Sequence, residues 1–279
     1  MPSEKSPVIE HLFFKFWDPT SATLSKSIMS LEDVSQAIRD CNAKAGTTLS
    51  DRNPANFMKD FMRGNNASKN WPPSVAALRF TAVQRTGTGD VFEFIPYAPG
   101  QTEPFTDAFK VTDDAPRYLV QSISLPLVTK MLGRTDESWL IQTAINLRVV
   151  ETHFAVGSAI PMLELSPLQM SIKLRQAEID ALFLGVMNTA HGHEQVIVTC
   201  EAKHYKDPFI PQQIINQVQA AFAATKVPVV IPIGMKAIRN VGFYVTEFQA
   251  VKREDAPALA ELHLASHAVY ELKPPVKGI

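Results

Sequence analysis

Residues 178–205 read EIDALFLGVMNTAHGHEQVIVTCEAKHY, and this stretch limits the possible folds more than any other part of the chain. Ala181-Leu-Phe-Leu-Gly-Val-Met187 and Val196-Ile-Val-Thr-Cys200 are apolar, strand-forming runs, and residues 188–195 between them are turn formers. The expected product is an antiparallel pair of largely buried strands. Yet Asp180 opens the first run, and Glu201 and Lys203 close the second. Burying three charges costs several kcal/mol unless they pair with one another or bind an ion.

Strand geometry says how those charges meet. Side chains alternate, so Glu178 and Asp180 share one face, Glu201 and Lys203 share another, and Ala202 turns away. Folding the runs back on each other brings Asp180 beside Glu201. Two carboxylates at that distance repel, and one takes up a proton unless a cation sits between them. A hard divalent ion with oxygen ligands, Mg²⁺ first among them, resolves the conflict. It also suits phosphodiester hydrolysis, with Lys203 positioned to neutralise charge on the phosphoryl oxygens.

The flanking sequence predicts the fold class. A helix is expected from Asp136 to about Val150, with Trp139, Leu140, Thr143, Leu147 and Val150 inward. Pro211-Gln-Gln-Ile-Ile-Asn-Gln-Val-Gln predicts another, with proline in its first turn. Val227-Pro-Val-Val-Ile and Val241-Gly-Phe-Tyr-Val predict two more strands, and apolar segments occupy 119–132. Helix, hairpin, helix, strand, strand is an α/β order with a mixed central sheet flanked by helices.

The N-terminal part is of another kind. After an irregular start, Ser30 caps a helix whose apolar positions are Val34, Ala37, Ile38 and Cys41. A second helix follows Ser50-Asp-Arg-Asn-Pro, carries Ala55, Phe57, Met58, Phe61 and Met62 inward, and ends at Gly64. Strands at 78–85 and 91–97 around Thr86-Gly-Thr-Gly-Asp90 read as a β-hairpin. Helices followed by a hairpin suggest a smaller α+β, winged-helix-like domain. The predicted division is a domain at 1–100, a connector at 101–117 rich in Pro, Gly, Thr and Asp, and a second domain at 118–279.

Composition supports a packed core, with 46% hydrophobic and 20% charged residues among 279. A formal net charge of −1 argues against a highly basic coat for nucleic acid and leaves room for a local basic patch. Two cysteines, Cys41 and Cys200, are too few for a disulfide framework or a cysteine zinc cluster, and a reducing cytoplasm is the simplest setting. No 18-residue apolar run is present, so neither a membrane span nor a membrane partner is expected.

Asp180 on one strand, Glu201-Ala-Lys203 closing the next behind an apolar run, and a helix after it resemble the PD-(D/E)xK nuclease superfamily. Within it the chain looks most like a type II restriction endonuclease with an N-terminal winged-helix-like DNA-binding region. Ile179 stands where many members have proline. The resemblance covers roughly residues 130–250. It implies a restriction-endonuclease-like core, Asp180 and Glu201 as metal ligands, Lys203 as catalytic lysine, and Mg²⁺ as cofactor. Gln213 or Gln217 would match the supporting glutamine often found on the following helix. Glu137 and Glu151 are both candidates for the acid often supplied by the preceding helix. It further implies double-stranded DNA as substrate, a homodimer, a companion DNA methyltransferase and a prokaryotic cytoplasm. Arg52, Asn53, Lys59, Arg63, Lys69 and Asn70 are the expected DNA contacts of the first domain, with Arg79 and Arg85 on the hairpin.

Rival readings are a structure-selective repair or junction-resolving nuclease and a non-catalytic winged-helix regulator. An extra N-terminal module of about 115 residues favours a sequence reader over the first, and an intact Asp180, Glu201 and Lys203 set argues against the second. His191-Gly-His193 reads as a solvated turn, because nothing supplies further ligands. Glu178 is expected to pair with Lys173 or Arg175, and His204 and Tyr205 to lie on the rim of the site.

Overall fold

The computed structural model describes residues 3–62, 67–85, 89–107, 109–134, 136–174 and 177–279, with backbone alone for 59, 60 and 132. The chain divides into two units, Met1–Asp107 and Ala108–Ile279, and the boundary falls inside the connector expected at 101–117.

In the first unit the irregular start is in fact a helix, α1 (Lys5–Phe16). Val8, Ile9, Leu12 and Phe13 recur at helical spacing and are fully buried, which is reason enough for it. Strand β1 (Ile28–Ser30) leads into α2 (Leu31–Lys44). Ser30 Oγ accepts from the Asp33 N–H at 3.2 Å and the Asp33 carboxylate accepts from the Ser30 N–H at 2.9 Å, a capping box. Ser30→Ala is expected to cost about 1 kcal/mol, read as a lowered urea midpoint with an unchanged slope.

A short 3-10 turn, Pro54–Asn56, opens α3 (Phe57–Met62). Its Phe57, Met58, Phe61 and Met62 are buried as expected, whereas Ala55 is exposed. The hairpin is β2 (Phe80–Gln84) and β3 (Asp90–Pro96), and β1 pairs with β3 to give the antiparallel order β1-β3-β2. Aromatic edge-to-face contacts between Phe13, Phe92 and Phe94, with centroids 5.0–5.2 Å apart, tie helix to sheet. Gly64 and the hairpin turn at 86–88 lie outside the described residues.

The second unit is built on one large mixed sheet flanked by helices. Its strands are β4 (Arg117–Gln121), β5 (Met162–Lys173), β6 (Glu178–Thr189), β7 (Gly192–Lys203), β8 (Val229–Ile238), β9 (Gly242–Phe248) and β10 (Leu264–Lys273). They lie in the order β4-β10-β9-β8-β7-β6-β5, and the short strand Val251–Lys252 pairs with the start of β8. Only β7–β8 and β10–β4 are parallel. The β7–β8 crossover needs a helix-length connection, and α7 (Pro211–Ala224) supplies it across one face. Helices α5 (Glu137–Asn146) and α6 (Val149–Val156) cover the other, and the six-residue α4 (Leu127–Leu132) precedes them.

Several expectations need correction. The single helix expected from Asp136 to about Val150 breaks at Arg148, which adopts a left-handed φ of 53°. Strands β1, β4, β5 and β10 are not among those the sequence predicts. The alternation of β5 is masked at Pro167, beside which the pairing with β6 shifts register. The turn expected over 188–195 is shorter, because β6 runs to Thr189 and β7 starts at Gly192. Among the described residues no helix is long and apolar enough to cross a membrane.

Helix α6 is fixed to the sheet by a buried polar cluster. His153 Nδ1 lies 2.8 Å from Tyr270 Oη, and its Nε2 lies 3.1 Å from Glu247 Oε2 and 3.1 Å from Ser266 Oγ. Buried groups so paired hold one arrangement of α6 against the sheet behind α5.

Candidate functional site

The antiparallel register of β6 on β7 pairs Ala181 with Cys200, so the next step places Asp180 opposite Glu201. Ala181, Cys200 and Ala202 point into the core beneath α5 and α6. Asp180, Glu201 and Lys203 therefore take the alternate face at the ends of these strands. The three residues that the sequence singled out are brought together.

Each is held by specific partners. Asp180 Oδ2 accepts from the Ala202 N–H at 2.8 Å. The Lys203 ammonium donates to Glu201 Oε1, and Gln217 Nε2, on α7, donates to Glu201 Oε2 and to the Glu178 carbonyl, the latter at 3.0 Å. Glu201 and Lys203 are only 5% and 7% exposed, and Gln217 is 1% exposed. Gln217 thus belongs to the constellation. Gln213, one helical turn earlier, makes no hydrogen bond to it, although its Oε1 and that of Gln217 are both buried without a partner.

Glu137 and Glu151 separate cleanly. Glu137, in the first turn of α5, reaches to 3.8 Å from Lys203 Nζ. Glu151 makes no such contact; one of its carboxyl oxygens is buried without a partner, and burial raises its pKa. Glu178 is exposed and directly opposite Lys173 in the register of β5 on β6, while Arg175 lies outside the described residues.

The electrostatics follow from this crowding. Burial, and then the Glu201 carboxylate, push the Asp180 pKa up to about 7, against the pull of the Ala202 N–H and Lys203. Burial works to lower the Lys203 pKa, but Glu201, with Glu137 and Asp180 behind it, more than offsets that and holds the ammonium above its ordinary value. The floor of the site is therefore short of positive charge.

A hard divalent cation fits these donors. Asp180 and Glu201 supply adjacent carboxylates, and the buried, unpartnered Oε1 of Gln217 adds a polar acceptor beside them. Among the described residues no group of three or more His, Cys, Asp and Glu side chains is arranged to hold a metal. Mg²⁺ does not need one, because it binds through one or two carboxylates and keeps several waters or substrate oxygens.

Beside Glu201 in the parallel register of β8 stands Gly234. A Cβ there would lie 2.6 Å from Thr246 Oγ1 and 2.8 Å from two ring carbons of Phe209, so the missing side chain lets that ring pack next to the site. Gly234→Ala is expected to destabilise the chain by about 1–3 kcal/mol and to displace the loop carrying Phe209. Thermal melting together with Mg²⁺ titration checks both. The same register sets Lys236 next to Lys203, a neighbour that local spacing does not reveal.

The expected DNA contacts of the first unit are less unified. Arg52 and Asn53 are exposed ahead of the Pro54–Asn56 turn, and Lys69 is exposed on the short helix Ala67–Asn70. Asn70 is half-buried, with its carbonyl accepting from Ser6 Oγ. Arg63 and the Lys59 side chain lie outside what is described. Arg85 is ion-paired with Glu93 across the hairpin, and Arg79 lies over the Tyr97 ring at 5.2 Å. His191 and His193 are both exposed at the β6–β7 turn. In comparisons with known proteins, no family model, no curated protein and no solved structure matches this chain.

Proposed function

We propose that the chain is a Mg²⁺-dependent endonuclease of the PD-(D/E)xK kind that hydrolyses phosphodiester bonds of double-stranded DNA, closest in type to a type II restriction endonuclease. The observation that carries this reading is the meeting of Asp180 and Glu201 across β6 and β7, with the Lys203 ammonium against Glu201. Support comes from the setting: α5 ahead of the strands with Glu137 beside Lys203, three antiparallel strands, and α7 crossing to a parallel β8 with Gln217 on Glu201. In the first unit, helices followed by an antiparallel hairpin accord with a winged-helix-like DNA-binding module.

Asp180 and Glu201 would hold the ion. When bound, Mg²⁺ supplies Lewis-acid polarisation of a phosphoryl group and lowers the pKa of water. The Ala202 N–H fixes the Asp180 carboxylate, and Gln217, anchored on the Glu178 carbonyl, fixes that of Glu201. Lys203 places a permanent positive charge where phosphoryl oxygens gain negative charge, in surroundings where water screens little. A two-fold DNA target is met by a homodimer, with a companion methyltransferase protecting the host's own sites.

The test is incubation of supercoiled plasmid with the full chain in Mg²⁺ and in EDTA. Discrete fragments in Mg²⁺ alone are the expected result. A smear would favour the structure-selective repair or junction-resolving class. DNA binding with no cleavage under Mg²⁺ or Mn²⁺ would replace the enzyme with a non-catalytic regulator.

A further inference from the structure

At the end of the sheet that carries Asp180 and Glu201, cations gather around one aromatic ring. Tyr205 follows Lys203 by two residues, and its half-buried ring packs against the core of the second unit. The His204 ring lies 4.1 Å from it, Lys206 Nζ lies 5.5 Å from its centroid, and Arg239 Cζ lies 5.8 Å from the same centroid. Arg239 comes directly after Ile238, the last residue of β8, the strand whose Lys236 stands beside Lys203. Both Lys206 and Arg239 are exposed.

Among the described residues neither makes an ion pair, whereas four other arginines do. Arg39, Arg85, Arg117 and Arg134 each face a carboxylate, and Arg253 donates to three backbone carbonyls. Arg239 rests on an aromatic face instead. Stacking on a fixed ring restrains a guanidinium while leaving its N–H donors unspent, and those donors match phosphate oxygens in a bidentate fork. Against a formal net charge of −1 for the whole chain, any attraction for a polyanion has to be local, and here it lies at the strand ends beyond Lys203 and Lys236.

We infer that Tyr205, Lys206 and Arg239 form a preorganised seat for backbone phosphates of the nucleic acid just past the ends of β7 and β8, the end of the sheet at which the Asp180–Glu201 carboxylates lie. The inference rests on the phosphodiester chemistry proposed above and adds to it the surface that positions the substrate. Lys206 and Arg239 bind phosphates that do not react, and the Tyr205 ring holds both cations in place. The seat contributes affinity and alignment and reads no sequence.

The test measures binding of the full chain to a fluorescent duplex in EDTA across a salt series, so that no cleavage intervenes. Removing two phosphate contacts by Lys206→Ala with Arg239→Ala is expected to make the slope of log affinity against log salt shallower by about 2. Affinity at low salt should fall by about ten- to hundredfold. Each single variant should show about half the change in slope, and Arg239→Lys should keep the slope while losing part of the affinity. Tyr205→Ala should weaken binding at an unaltered charge count. An unchanged slope and affinity in the folded double variant overturns the seat, and so does failure of the wild-type chain to bind duplex. Plasmid cleavage by wild type in Mg²⁺ reads the nuclease proposal separately. Cleavage with an unaltered double-variant slope rejects the seat alone, and an altered slope without cleavage rejects the nuclease alone.

Discussion

Lys203→Ala is expected to slow Mg²⁺-dependent plasmid cleavage by at least about 10²–10³-fold, the loss typical of removing one preorganised charge from a developing anion. Asp180→Ala should bring it to background. The two variants fail for different reasons, and metal binding tells them apart. In the metal-free chain the Lys203 ammonium is the cation that neutralises Glu201 Oε1. Removing it leaves Asp180 and Glu201 facing each other with less positive charge, so Lys203→Ala should bind Mg²⁺ at least as tightly as wild type. Asp180→Ala deletes a ligand and should bind it more weakly. Lys203 is buried, so its loss also strips a partner from a buried carboxylate, and circular dichroism in saturating Mg²⁺ is the control for folding. Undiminished cleavage by Lys203→Ala would remove this residue from the chemistry, and weaker Mg²⁺ binding by that variant would contradict the electrostatic account.

The residues of this floor were legible because their geometry is local. Alternation along a strand puts Glu201 and Lys203 on one face whatever the rest of the chain does, and a tight turn between two apolar runs forces Asp180 opposite Glu201. Gln217 was reachable as one of two glutamines a helical turn apart, but only packing of α7 on the sheet chooses it over Gln213. Glu137 over Glu151 is a similar choice. It depends on the helix break at Arg148, which neither glycine nor proline announces. Lys236 and Arg239 were not legible at all, since their place next to Lys203 and Tyr205 is a matter of register between strands joined by a long crossover.

Among the structural elements, α1 could have been read from Val8, Ile9, Leu12 and Phe13, where the periodicity is plain. Strand β5 is harder, because Pro167 and the register shift beside it break the alternation on which strand reading relies. The mixed sheet with helices on its faces was recoverable because its central strands each carry a long apolar run. The edge strand Arg117–Gln121 and its neighbour Leu264–Lys273 carry weaker patterns and are fixed by strand pairing.

In metal-free conditions, Asp180→Asn is expected to be more stable than wild type above pH 7, and Mg²⁺ is expected to reverse that order. Proton linkage sets the sign. Asp180 has its pKa raised from 3.8 to about 7, first by burial and then by Glu201. Between those values the folded chain holds a proton that the unfolded chain has released, so stability falls as pH rises from about 4 to about 7 and stays low above it. The size is on the order of a few kcal/mol. Asparagine cannot ionise, and its variant should show no such decline through this window. Mg²⁺ binds the folded wild type through the ionised carboxylate and restores its stability at pH 8, by an amount that grows with concentration above the dissociation constant. At pH 5 the proton competes with the ion, and the Mg²⁺ effect should shrink. Thermal melts of both proteins at pH 5 and pH 8, with Mg²⁺ and with EDTA, give the whole comparison. A wild-type melting temperature at pH 8 that ignores Mg²⁺, or an asparagine variant that Mg²⁺ stabilises equally, would mean that Asp180 and Glu201 do not share an ion, and the nuclease reading would lose its foundation.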